Sequence, residues 1–191
     1  MQTRQGRCHA PSRHSDPRLH RGAPPAPVAL VNAVGVNIND YLLALRQVPE
    51  PMLAAFNAAG WAYCIDFDYI SELSKQLNMS CIGATDYSQK TIHLSDASAT
   101  LHEFGHFLDW MLGIPAEHEQ LYLAEAQNSE LRDYAKTNAR EYFTDCFDYW
   151  ITHGSNSEMM EHLRKNAPQT CKRLITARDK RQPRDLVDNV Q

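Results

Sequence analysis

Two histidines four residues apart, His102 and His106, bracket Glu103, Phe104 and Gly105 in the run HEFGH. On a helix a residue four positions on has turned by only about 40°, so both imidazoles lie on one face and can converge on a single metal ion. Glu103 lies about 100° round from His102, where its carboxylate can reach a water held by that ion. This donor pair with an adjacent carboxylate is what a zinc hydrolase needs: two ligands and a general base. A second reading of the same residues remains. Leu101, Phe104, Phe107, Leu108, Trp110 and Met111 also make an ordinary buried stripe, with two incidental histidines and Glu103 capping a helix start at Thr100.

A hydrolytic zinc ion takes three protein ligands and leaves one position for water. One arrangement, with glycine three residues and a third histidine six residues beyond the second histidine, is excluded, because Asp109 and Leu112 occupy those positions. The third ligand must come from another element. The downstream amphipathic segment Asn138 to Ile151 offers Glu141 in its first turn and Asp145 one turn later. Glu141 is the candidate ligand, and Asp145 is the candidate acceptor for the outer nitrogen of a ligand histidine, fixing its tautomer. Asn138 followed by Glu141 is equally a capping box, and an acidic first turn suits the helix dipole; a solvated acidic face is the competing account of Asp145. His118, His153 and His162 have no comparable spacing.

The elements that must hold these residues follow from punctuation and periodicity. The helix that would carry the metal ligands is expected to begin near Ser95 to Ser98 and to stop at Gly113, with Pro115 beyond. Upstream, two short helices are expected around Tyr41 to Leu45, capped by Asn39 or Asp40, and around Met52 to Phe56, ending at Gly60. Trp61 to Phe67 reads as a strand, Tyr69 to Leu77 as a helix, and Cys81 to Leu94 as two extended segments about the turn Asp86 to Gln89. Downstream, Glu117 to Ala126, Asn138 to Ile151, Ser157 to Lys165 and Pro168 to Asp179 read as helices. The fold class is therefore α+β, a small sheet followed by a mostly helical C-terminal half.

At 191 residues and 43% hydrophobic content the chain suits one domain of ordinary size. Residues 1–27 hold five arginines against Asp16 alone, together with five prolines and few aliphatic residues, and are expected to be a disordered Arg/Pro-rich tail; residues 28–191 form the domain. With a net charge of -4 overall, the body is more acidic than the whole chain, which argues against nucleic-acid binding. The five cysteines form no CxxC pair, and an odd count leaves one unpaired in any intramolecular scheme. Cys64, Cys81 and Cys146 read as small buried hydrophobes. No apolar run approaches a membrane span, and residues 28–36 make no clear signal peptide because Asn32 interrupts them.

Three motifs in order carry a resemblance: HEFGH at 102–106, YAKTNAREYF at 134–143 and KNAPQT at 165–170. Over roughly residues 60–178 the chain resembles the catalytic domain of anthrax lethal factor and the related Pro-Pro endopeptidases, a gluzincin group of zinc metallopeptidases with a zincin-like fold. The resemblance implies one Zn2+ per chain held by His102, His106 and Glu141, Glu103 as general base, and Tyr134 as a catalytic tyrosine. Zinc would lower the pKa of a water toward about 7, Glu103 would take its proton, and the Tyr134 hydroxyl would stabilise the oxyanion. It also implies an extended peptide or protein substrate added to the sheet edge before the metal helix, with His93 as strand surface or subsite, and a secreted or delivered protease. A catalytically silent zincin-fold binding module is the alternative. Pro-Pro members carry an acidic residue directly before the ligand glutamate; Arg140 stands there instead, so that specificity does not carry over.

Overall fold

The computed structural model describes residues 28–31, 35–113 and 115–179; the expected tail, residues 1–27, lies outside them. A four-stranded sheet has the order β1-β2-β4-β3, formed by β1 (Val28–Val31), β2 (Ala62–Asp66), β3 (Gly83–Asp86) and β4 (Thr91–Leu94). The first three neighbours run parallel, and β3 closes one edge antiparallel to β4. Strand β1 was not foreseen. Its four apolar residues are too few for a period to show, and pairing with β2 is a non-local event.

Strands expose alternate residues to opposite faces, and here the two faces differ in chemistry. Tyr63, Ile65, Ile92 and Leu94 are fully buried in the main core, and the Tyr63 hydroxyl pairs with Thr100 Oγ1 at 2.7 Å. Cys64, Asp66 and His93 point the other way, toward helix α3 (Phe67–Leu77). The expectation that β4 is the edge and His93 its surface is corrected. The hairpin after α3 places β3 outside β4, so β4 is interior and His93 is only 7% exposed.

Helix α1 (Ile38–Leu45) is capped by Asn37, whose Oδ1 accepts the Asn39 N–H at 3.2 Å, not by Asn39 or Asp40 as expected. Helix α2 (Glu50–Ala58) follows, with a proline in its first turn. After a 3-10 turn at Ala97–Ala99 comes α4 (Thr100–Leu112), ending at Gly113 as its stop signals predict. This helix is buried on nearly all sides. Phe104 and Phe107 pack with Phe56 at ring-centroid distances of 4.8 and 5.1 Å, and Trp61 joins Phe107 at 5.3 Å. Truncating one such ring to alanine costs about 3–5 kcal/mol, which is why α4 is a rigid base for side chains.

Helices α5 (Pro115–Glu125), α6 (Ala139–His153), α7 (Ser157–Asn166) and α8 (Pro168–Asp179) complete the α+β fold. Helix α6 lies against α4 at Gly105, where a Cβ would stand 2.9 Å from Thr144 Cα. The 165–170 motif builds the start of α8. The buried Glu125 carboxylate accepts the N–H groups of Gln169 and Thr170 at 2.7 and 3.2 Å and the Thr170 hydroxyl at 2.7 Å. No helix among the described residues is long and apolar enough to cross a membrane.

Candidate metal centre

Helix α4 presents His102, Glu103 and His106, and α6 brings Glu141 to them. Glu141 Oε2 lies 3.1 Å from His102 Nε2 and 3.6 Å from His106 Nε2. Asn138 does cap α6, its Oδ1 accepting the N–H groups of Arg140 and Glu141, each at 3.0 Å. The Glu141 side chain is nevertheless turned toward the two imidazoles. Its buried Oε2 has no hydrogen-bond partner, although such atoms in folded interiors are normally paired. The two Nε2 atoms and this oxygen could hold a divalent ion, and an imidazole–imidazole–carboxylate set suits zinc.

The outer nitrogens are also held. His102 Nδ1 lies 2.8 Å from Asp145 Oδ1, and Arg132 grips the same carboxylate with Nε on Oδ2 and Nη2 on Oδ1, each at 2.5 Å. Thr144 Oγ1 lies 3.2 Å from His106 Nδ1. Burial alone would lower the His102 pKa, but the neighbouring Asp145 and Glu141 carboxylates outweigh it and raise it to about 9. Burial works upward on Glu141, yet its contacts with His102 and His106 hold it well below the usual carboxylate range. Asp145 is lowered in the same way, burial being outweighed by Arg132 and His102.

Glu103 is 4% exposed. Burial pushes its carboxyl up, against the pull of His106, His102 and a hydrogen bond from Thr85 Oγ1 at 2.7 Å. Strand β3 makes room for it at Gly83, where a Cβ would stand 2.6 Å from Glu103 Oε1 and 2.9 Å from Ala99 Cβ. Tyr134 sits on a 3-10 turn, Asp133–Lys136, 42% exposed, its ring centroid 6.0 Å from that of His102. Arg140 reaches back to Asp109 at 3.2 Å and lies 4.8 Å over the Tyr87 ring. His118 is buried against Asp109.

The family model described as anthrax toxin lethal factor, N- and C-terminal domain, matches residues 68–175. The chain belongs to the anthrax toxin lethal factor family. Among solved structures it is similar to the Pro-Pro endopeptidase of Paenibacillus alvei, at 13% identity, covering 78% of this chain and 96% of that one with a TM-score of 0.53. At that identity the likeness speaks for the fold, a zincin-like domain as the motifs implied. No curated protein gave a significant match.

Sequence reasoning missed Arg132, Thr85, Thr144 and Gly83. Arg132 precedes Tyr134 by two residues within the stretch leading to the second motif, yet nothing in its spacing marks it as a partner of Asp145. Of the cysteines expected to be buried, Cys64 and Cys146 are, and Cys81 is only partly covered.

Proposed function

We propose that this member of the lethal factor family is a zinc-dependent metalloendopeptidase with His102, His106 and Glu141 as ligands. The observation that carries the reading is the buried, unpaired Glu141 Oε2 aimed between two imidazole Nε2 atoms at 3.1 and 3.6 Å. Family membership supports it independently. Zinc, when bound, supplies acidity to a water and polarises the scissile carbonyl.

The chain's own groups do the rest. Glu103, whose raised pKa brings it nearer neutrality, takes a proton from the attacking water and returns one to the leaving amine. Burial first, then the Glu141 and Glu103 carboxylates, push the Tyr134 hydroxyl up to about 12, so it stays protonated at neutral pH and can donate to a developing oxyanion. Asp145 and Arg132 hold the His102 ring in one tautomer and plane. An extended peptide added to the outer edge of β3 would pass beside Thr85 and Glu103.

The test is digestion of a degenerate peptide library with mass-spectrometric readout, run with and without chelator and with Glu103→Ala. The expected result is cleavage by the zinc-loaded chain only. Cleavage by Glu103→Ala at the wild-type rate removes the base assignment. A zinc-loaded, folded wild type that cleaves nothing favours the silent binding module and overturns the peptidase reading.

A further inference from the structure

The sheet face opposite α4 carries a second cluster of metal-ligating side chains, sharing no residue with the first. Cys64 and Asp66 are two apart on β2 and so point the same way. His93 is the register partner of Cys64 on β4. One ligand atom from each, thiol, carboxylate and imidazole, lies within 4.8 Å of the others. The three are 5%, 9% and 7% exposed, and Cys64 stands apart from the main hydrophobic core.

His93 is the decisive residue. It is more than nine-tenths buried, and neither ring nitrogen has a hydrogen-bond partner. The nearest carboxylate oxygen, Asp66 Oδ2, stands 3.6 Å from Nδ1, beyond hydrogen-bond length. Tyr69 stacks on the ring at 3.8 Å and 11°, which fixes its plane. Asp66 has one oxygen in use, Oδ1 capping α3 through the Tyr69 N–H at 3.0 Å, and Oδ2 left toward the cluster. A buried polar group without a partner costs about 1–3 kcal/mol, so leaving two on one ring is expensive unless something else binds them. Burial lowers the His93 pKa despite Asp66 and Asp86, which keeps the imidazole in its neutral, ligating form.

We propose that Cys64, Asp66 and His93 form a second metal site, for Zn2+, on the α3 side of the sheet. A thiolate and an imidazole favour a borderline-soft ion over Mg2+ or Ca2+, and three protein ligands leave a fourth position to a water. Thiolate and carboxylate together neutralise the charge of the ion, which makes its burial tolerable. Burial, with help from Asp66, raises the Cys64 pKa, so the thiol gives up its proton to solvent as the metal–sulfur bond forms. The ion would tie β2 to β4 and to the cap of α3. This site stands independently of the peptidase reading.

The sulfur makes it separable from the first centre by experiment. The full chain and a double variant, His106→Ala with Glu141→Gln, are loaded with Zn2+ or Co2+ and dialysed. The expected result is one zinc retained by the double variant and a thiolate-to-cobalt charge-transfer band in both proteins, lost in Cys64→Ser and in His93→Gln. Peptide mapping after iodoacetamide treatment gives a readout that needs no variant, with Cys64 protected by added Zn2+ in the wild type. Absence of the cobalt band from the folded wild type overturns the site, as does a band that survives Cys64→Ser, or Cys64 alkylation unchanged by zinc.

Discussion

Arg132 holds both oxygens of Asp145, and it shares Oδ1 with His102 Nδ1, which stands 3.1 Å from Arg132 Nη2. The Arg132 side chain is more than half exposed while Asp145 is buried, so a surface residue steadies an interior one. Planar, two-point pairing of this kind fixes orientation as well as charge. Replacing Arg132 by alanine should leave Asp145 free to rotate and weaken zinc binding by about 10–100-fold, the usual effect of losing a partner behind a ligand histidine. Competition with a chromophoric chelator measures it. Unchanged affinity would show that Asp145 holds His102 unaided.

Gly105→Ala should weaken the same centre from the opposite side. Alanine improves helix propensity by up to about 1 kcal/mol, but its Cβ would meet Thr144 backbone atoms at 2.9 and 3.0 Å. Overpacking of that kind costs about 1–3 kcal/mol, so the strain wins and α6 must retreat from α4. Lower melting temperature together with reduced zinc content is expected, because Glu141 travels with α6.

Gly83→Ala should separate catalysis from metal binding. The added methyl collides with the Glu103 carboxylate and with Ala99, and Ala99 cannot swing aside. Peptide turnover should fall at least about tenfold, a small part of what a positioned base contributes, while zinc content stays at the wild-type level. Equal kcat in a folded Gly83→Ala protein would mean that Glu103 has more room than the strand allows it.

Tyr134→Phe should lower kcat by about 10²-fold with KM and zinc content nearly unchanged, if the hydroxyl acts only as charge develops. Its ring is 42% exposed, so the melting temperature should barely move. A packing tyrosine would give the reverse pattern.

Acidity should act on the metal-free and metal-loaded forms in opposite directions. His102 titrates at about 9 in the folded chain against 6.5 as its ordinary value. Its cationic contacts with Asp145 and Glu141 therefore contribute fully below pH of about 6.5 and vanish as pH rises through about 9. Chelated protein should melt at a lower temperature at pH of about 9.5 than at about 6.5, and the difference should shrink in Asp145→Asn. Zinc has to displace the same proton, so its affinity should climb across that window, by up to about tenfold per pH unit for one proton. Calorimetry and chelator competition report the two trends separately.

What the sequence made legible was local. His102 and His106 meet because of one helical turn, Gly113 ends α4 because its punctuation is explicit, and Asn138 caps α6 because Asx side chains do so at that position. The capping-box alternative for Glu141 was half right: the asparagine half operates, and the carboxylate goes elsewhere. Arg132, Thr85 and Gly83 were invisible because each matters only through a residue brought to it by packing. The same holds for the sheet. Reading β4 as the edge followed chain order, whereas the hairpin between Asp86 and Thr91 turns β3 outward.

Glu125 gives the last helix a weight that its place in the chain does not suggest. The carboxylate is 4% exposed and meets backbone and hydroxyl donors at the start of α8, with the Tyr142 hydroxyl of α6 at 3.4 Å. It is an anion sheltered by a helix end, the kind of group that positive dipole ends accommodate well. Proteolytic trimming back to Ala167 would strand that anion in the interior, next to the helix that carries Glu141. Loss of the final helix should thus be felt in the first turn of α6, where Tyr142 adjoins Glu141, as a failure of the centre instead of a frayed terminus.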